Sequence, residues 1–429
     1  MLDIKIIREN PDFVRSNLEK RGNPDNIKML DELIGLDKKW RTDLTNLNEL
    51  RHQRKQVTME IATLKKTGKD ATTQVDKAKL IDTEITCLEK TVADEEQSER
   101  DYLLKLPNML HESVPVGQGE NDNITIKTWG KPPTFNFTPK NHIDLAQNLD
   151  LIDMERAGKV TGARFFYLKK ELVLLDMALM QFALTELYNK GYTPIEPPQL
   201  MRKEAYEGVT ALSDFEDVLY KIQNENLYLI ATSEHPMAAM HQNEVLLQQD
   251  LPLKLAGVST CYRKEAGAHG KDTRGIFRTH QFNKIEQFIF STPEQSWQLH
   301  EELLQNAEQL TQKLELPYRV VNVCTGDIGT VAAKKYDIEA WMPAQNTYRE
   351  IISCSNCTDY QARRLNIRYR EKTGAPTKGY VHTLNSTAIA TGRTIVAILE
   401  NNQNQDGTIN IPKALQKYMG NLTKIPPNR

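Results

Sequence analysis

A chain of 429 residues with 39% hydrophobic and 26% charged side chains has the composition of a globular protein of two or three domains. No apolar run approaches the roughly 20 residues a membrane helix needs. The start, Met1-Leu-Asp-Ile-Lys-Ile-Ile-Arg-Glu-Asn10, is charged where a signal peptide would be apolar, so a cytoplasmic location is expected. A formal net charge of −2 excludes a global basic field and leaves any nucleic-acid contact to local patches.

Residues 1–29 read as a small cap, in which Asn10-Pro11-Asp12 starts a short amphipathic helix through Leu18 that stops near Gly22. A heptad pattern follows. Leu33, Trp40, Leu47 and Ile61 share one seven-residue row, broken by Arg54; Leu36, Leu50, Val57 and Leu64 share the other, broken by Asp43. Thr67-Gly-Lys-Asp70 punctuates the chain. A second run then aligns Ala78, Ile85 and Val92, and beside them Ile81, Leu88 and Tyr102. Two antiparallel helices joined by a tight turn satisfy this pattern. At about 1.5 Å per residue the first spans roughly 45–50 Å from Leu33 to Leu64, so the hairpin is expected to project as an arm. Arg51, Arg54, Lys55, Lys65, Lys66 and Lys69 give it a basic tip suited to phosphates, although an ordinary solvated coiled coil has the same composition.

The helical pattern ends near Pro107. Pro115, Gly117, Gly119, Pro132, Pro133 and Pro139 mark a linker with short strands. Leu172–Asn189 reads as a helix closed by Gly191. Strand signals recur at 227–231, 254–262, 283–291, 319–323, 337–342 and 348–354, with a helix at 294–314. Irregular strand lengths without a βαβ rhythm predict an α+β body, an antiparallel sheet flanked by helices. The two common glycine-rich nucleotide motifs are absent.

Five cysteines argue against a disulfide framework. Cys354 and Cys357 form a C-x-x-C, but no second ligand pair lies near them in sequence, and buried thiols beside a strand are the preferred reading over zinc. The chemistry-bearing residues are elsewhere. Arg263, in Cys261-Tyr-Arg-Lys-Glu265, Arg278, in Phe277-Arg-Thr-His-Gln-Phe-Asn-Lys-Ile-Glu-Gln-Phe288, and Arg393, in Ala390-Thr-Gly-Arg393, are guanidinium forks fit for phosphates. The loop from Ala266 to Gly275 carries Gly267, Gly270 and Gly275, which allow close backbone approach to a ligand. Glu350 and Ser353 lie three apart on a strand, so they point to opposite faces unless it bulges. Two further segments, Gln361-Ala-Arg-Arg364 and Thr383-Leu-Asn-Ser-Thr387, stand nearby in sequence.

The order of these segments resembles the class II aminoacyl-tRNA synthetases, and within them the seryl-tRNA synthetases of the bacterial type, from Met1 to about Gly420. Gly191–Pro198 is similar to motif 1, Cys261–Phe288 to motif 2 and Ala390–Glu400 to motif 3. The resemblance implies a tRNA-binding domain at 1–104, with its arm at about 30–103 carrying the basic residues named above, and a catalytic domain at 105–429. It implies ATP contacts at Arg263, Lys264, Glu265, Arg278, Phe282, Glu350, Ile351, Ile352, Ser353 and Arg393, with Mg2+ held by Glu350 and Ser353 and no structural zinc. Arg263 would grip the α-phosphate, and Arg278 and Arg393 the γ-phosphate. Serine would be met by Thr232, Ser233, Glu234, Glu286, Asn385 and Thr387; which group takes the ammonium and which the hydroxyl is left open. The partners implied are ATP, L-serine, tRNA(Ser), tRNA(Sec) where it exists, and a second copy of the chain. Where many relatives read Thr-Ala-Glu and Asn-Gly-Ser, this chain reads Thr232-Ser-Glu234 and Asn385-Ser-Thr387, which keeps the polar groups.

Overall fold

The computed structural model describes residues 1–210, 217–265, 272 and 274–426. The chain divides into two compact units, Met1–Met109 and Leu110–Arg429.

The first unit is helical. α1 (Ile4–Glu9) and α2 (Pro11–Glu19) precede α3 (Pro24–Lys66, 43 residues) and α4 (Thr72–Lys105, 34 residues). Pro11 and Pro24 both sit in a first turn, where the missing N–H costs nothing. The heptad rows form the seam: Val57 packs with Ala78 and Ile81, flanked by Ile61 and Ile85, while Leu33, Leu47 and Val92 are buried. Two charges inside the seam are paired. Asp37 accepts from Arg8 at 2.5 Å and from Arg41 at 2.9 Å, and Glu95 from Lys39 at 2.7 Å. At the tip, Thr67 caps α3 and Gly68 adopts φ +68°. Helix α1, which no sequence pattern in the cap announces, is capped by the Asp3 carboxylate.

The second unit is built on an eight-stranded sheet. The elements that shape it are β1 (Ile124–Trp129), α5 (Glu171–Asn189), β2 (Thr193–Ile195), α6 (Lys203–Val209), α7 (Glu234–Ala239), β3 (Leu253–Tyr262), β4 (Gln281–Ser291), α8 (Ser296–Lys313), β5 (Tyr318–Asn322), β6 (Lys334–Met342), β7 (Thr347–Asn356), α9 (Tyr360–Leu365), β8 (His382–Ala390) and α10 (Thr391–Asn401). The strand order is β1-β5-β6-β7-β8-β4-β3-β2. All neighbours are antiparallel except β2 and β3. This is the mainly antiparallel sheet flanked by helices that the sequence predicts. Helix α5 ends as anticipated: Gly191 takes φ +85°, and the N–H groups of Tyr192 and Gly191 return to the carbonyls of Leu187 and Tyr188 at 3.1 and 3.0 Å.

Alternation along β4 sorts its residues to two sides. Ile285 and Ile289 join the core with α5, α8 and α10, whereas Phe288 and Phe290 belong to a second core with α6 and α9. Strand β8, unassigned at the sequence level, lies between β7 and β4 and carries Asn385 and Thr387. Its polar, small-residue run hides the usual apolar alternation.

Candidate active site

One cavity of about 360 Å³ opens on the sheet and is lined by Thr232, Glu234, Arg263, Glu265, Phe277, Arg278, Phe282, Lys284, Glu286, Lys335, Glu350, Ser353, Thr387 and Arg393, among others. Its size suits a small organic ligand. The three arginines separated by 130 positions in the chain, Arg263 to Arg393, therefore face one space.

Arg263 leaves the end of β3. Its Nε donates to the Ala231 carbonyl at 3.2 Å, and its guanidinium sits 5.2 Å from the Phe282 ring centre. Arg278 Nη1 donates to Glu265 at 3.2 Å. Glu265 holds φ +50°, a left-handed conformation that costs a non-glycine residue and persists where its surroundings impose it. Arg393 sits on the first turn of α10, with Nη1 3.1 Å from both the Glu350 carboxylate and the Glu350 carbonyl. Gly392 before it has no room for a side chain, since a Cβ would lie 2.8 Å from the Ile276 carbonyl oxygen. That close approach joins the first turn of α10 to the segment leading into β4.

Strand β7 bulges. Ile352 pairs with Ile338, but the next pair along β6 is Glu339 with Glu350, leaving Ile351 as the extra residue. The extra residue reverses the alternation, so Glu350 and Ser353 both line the cavity while Ile352 and Cys354 enter the core. Burial works to raise the Glu350 carboxyl, but Arg393, Lys335 and Arg263 outweigh it and hold it near 2. With its side chain 41% exposed, Glu350 is an ionised carboxylate open to a ligand. Asp337, opposite Ser353, behaves otherwise: burial first, then Glu350 and Asp327, push its carboxyl up to about 8.

The other end of the cavity is a pocket of paired polar groups. Buried Glu286 takes Lys284 at 2.5 Å and the Thr387 hydroxyl at 3.3 Å. Glu234, at the start of α7, accepts from Asn385 at 3.1 Å and Gln361 at 3.3 Å. Burial, then Glu286, raise its carboxyl to about 7. Thr232 Oγ1 accepts from the Glu234 N–H at 3.1 Å.

Some expected contacts fall outside the cavity. Ser233 is fully buried and donates to the Gly257 carbonyl at 3.3 Å. Ile352 is core, exposed Lys264 donates its backbone N–H to the Val218 carbonyl at 2.8 Å and its side chain is not among the residues lining the cavity, and Asn385 lies behind Glu234. The glycine-rich stretch from Ala266 to Lys271 lies outside the described residues, as does Thr273. Cys354 and Cys357 are buried singly, near the His300 carbonyl at 3.7 Å and the Asn385 amide at 3.6 Å; among the described residues no cluster of three metal-ligating side chains occurs. Conversely, Lys284, Lys335 and Phe277 line the cavity unanticipated. Lys284 was legible, since alternation puts Phe282, Lys284 and Glu286 on one face of β4; Lys335 depends on cross-strand register and was not.

On the arm, Arg51 and Arg54 are spent across the hairpin, pairing with Glu89 at 2.8 Å and Asp82 at 2.6 Å. Lys55, Lys65, Lys66 and Lys69 are exposed and carry no ion pair among the described residues.

Residues 219–402 match the tRNA synthetase class II core domain (G, H, P, S and T), and residues 1–110 match the seryl-tRNA synthetase N-terminal domain. The serine–tRNA ligase of Methanospirillum hungatei is 54% identical, over 98% of this chain and 99% of the relative. The chain belongs to the seryl-tRNA synthetase family. The crystal structure of seryl-tRNA synthetase from Pyrococcus horikoshii complexed with ATP is 52% identical with a TM-score of 0.97, covering 100% of both chains. The cytoplasmic serine–tRNA ligase of Naegleria fowleri in complex with AMP is 36% identical with a TM-score of 0.91, over 100% of this chain and 99% of that one. These findings correct the bacterial-type expectation: relatives at 51 to 54% identity are archaeal. Thr232-Ser-Glu234 and Asn385-Ser-Thr387 are where the sequence itself had departed from the expected pattern.

Proposed function

We propose that this chain is an ATP-dependent serine–tRNA ligase. The observation that carries the reading is the union, in one cavity, of three arginines with a pocket of two carboxylates and two threonines. Serine binds at Thr232, Glu234, Glu286 and Thr387. ATP binds with its adenine on Phe282 beside Arg263 and Glu265, its α-phosphate on Arg263 and its outer phosphates on Arg278 and Arg393. The serine carboxylate attacks the α-phosphorus in line, forming seryl-adenylate and releasing pyrophosphate. No protein nucleophile is needed; the arginines position the phosphates and offset the developing charge. Mg2+ fits Glu350 and Ser353, which the bulge turns to one side, and it supplies charge neutralisation between the phosphates when bound. The terminal adenosine 3′-hydroxyl of tRNA(Ser), or of tRNA(Sec) where the organism has one, then attacks the mixed anhydride.

Residues 1–104 form the tRNA-binding domain and 105–429 the catalytic domain, and the enzyme works in the cytoplasm as a homodimer. Support for the dimer comes from α5, which leaves Val173, Leu174, Met177 and Tyr188 exposed. No described helix is long and apolar enough to cross a membrane.

The pocket assignment has a direct test. Glu286→Gln keeps the volume and removes the charge that balances Lys284. It should raise the serine KM in pyrophosphate exchange roughly 10- to 100-fold, the worth of a hydrogen bond to a charged group, with the ATP KM changed far less. A collapse of ATP affinity at unchanged serine KM would reverse the division between the two subsites.

A further inference from the structure

Gln361-Ala-Arg-Arg364 lines none of the cavity, yet through Gln361 it forms a wall behind Glu234. Arg364 ties α9 to the end of α6, donating to the carbonyls of Glu207 at 3.0 Å and Thr210 at 3.1 Å. Gln361 is buried within that wall. Its amide oxygen accepts from the Thr383 hydroxyl at 2.6 Å. Its nitrogen donates to the Val209 carbonyl at 3.2 Å and to Glu234 Oε1 at 3.3 Å. A carbonyl can only accept, so Val209 fixes which edge of the amide faces Glu234. Asn385 Nδ2 donates to the same oxygen at 3.1 Å.

The two carboxylates of the pocket thus differ. Glu286 already has a cation in Lys284. Glu234 has two neutral amides on one oxygen and, among the described residues, no ion-pair partner; Lys284 and Arg263 act on it only from a distance. The geometry points to Gln361, with Asn385, as a positioning pair that holds the Oε1 edge of Glu234 and turns its Oε2 edge toward the substrate ammonium. This rests on the serine-binding reading of the cavity and deepens it. It also gives the pocket a pH response. Burial raises the Glu234 carboxyl to about 7; Glu286 adds to the rise, while Lys284, the Gln361 hydrogen bond and Arg263 oppose it. Cys357, whose thiol burial pushes up, faces it from beyond β7. Protonated Glu234 cannot hold an ammonium, so kcat/KM for serine should rise with pH through about 7. Losing the Gln361 donor removes one opposing influence and moves that rise to higher pH.

The test is serine-dependent pyrophosphate exchange by the full chain across pH 5.5 to 9, about one and a half units or more either side of the expected midpoint, with ATP KM measured alongside. Gln361→Leu is expected to raise the serine KM about tenfold, leave the ATP KM within about twofold, and shift the rise upward. Gln361→Glu, which keeps the shape and the acceptor for Thr383 but sets a carboxyl against Glu234, should lose more. Asn385→Ala should move the same two quantities in the same direction and covers the case in which a Gln361 variant does not fold. Glu234→Gln separates the readings: a serine defect there, with an unchanged serine KM and pH profile in folded Gln361 and Asn385 variants, overturns the positioning pair and leaves the serine site standing. No serine defect in any of the four overturns both.

Discussion

Replacing Arg263 by alanine is expected to reduce serine-dependent pyrophosphate exchange by about 10^3-fold, the loss that follows removal of a fixed donor aimed at developing charge. The guanidinium is held in place before substrate arrives, by the Ala231 carbonyl at 3.2 Å and by the Phe282 ring, so its removal takes away preorganised neutralisation rather than a mobile charge. The fold should survive, because Arg263 lines a cavity and bridges no core layer. Circular dichroism and the melting temperature check that; near-parental exchange by a folded Arg263→Ala would remove the residue from the phosphate site.

Shortening the arm should separate the two half-reactions. The base of the hairpin is anchored by Arg8 on Asp37 and Lys39 on Glu95, and Arg51 on Glu89 marks residues that face one another further out. Replacing residues 45–94 with a short linker therefore removes the outer part of the hairpin and leaves the anchors. Pyrophosphate exchange should stay near the parental rate, since every residue assigned to activation lies beyond Ala231. Aminoacylation of tRNA(Ser) should fall by roughly 10^2- to 10^4-fold as the phosphate contacts of the rod are lost. A finer version follows from the exposed lysines. Neutralising Lys65, Lys66 and Lys69 together should weaken tRNA binding and flatten its dependence on salt, whereas Arg51 and Arg54, already paired within the hairpin, should contribute less. Parental charging by the shortened protein would make the rod a structural element.

The arm was legible because seven-residue spacing is local, and Leu33, Leu47, Val57, Ala78 and Ile81 declare it over five turns of helix or more. The long strands were legible for the same reason, from β-branched and aromatic runs such as 283–291. The site was legible only in part. Arg263, Arg278, Phe282 and Arg393 could be marked by motif, but their convergence depends on the sheet order, in which β8 was not seen at all. The bulge at Ile351 was required by the assignment of Glu350 and Ser353 and is carried by one register shift that no side chain announces. Cross-strand register also hid Lys335 and Asp337. Conversely Ser233, Ile352 and Asn385 sit within the right segments, yet each turns away from the cavity, because a motif fixes a neighbourhood and the pleat decides which side chain enters it.

The central claim is that this cavity activates serine and no other amino acid. Amino-acid-dependent exchange of labelled pyrophosphate into ATP, run without tRNA on each standard amino acid, measures that claim directly. Serine alone should support exchange, and threonine, which keeps the hydroxyl and adds a methyl, should be the strongest of the weak competitors. Exchange driven by another amino acid at or above the serine rate, or by none, would contradict the account.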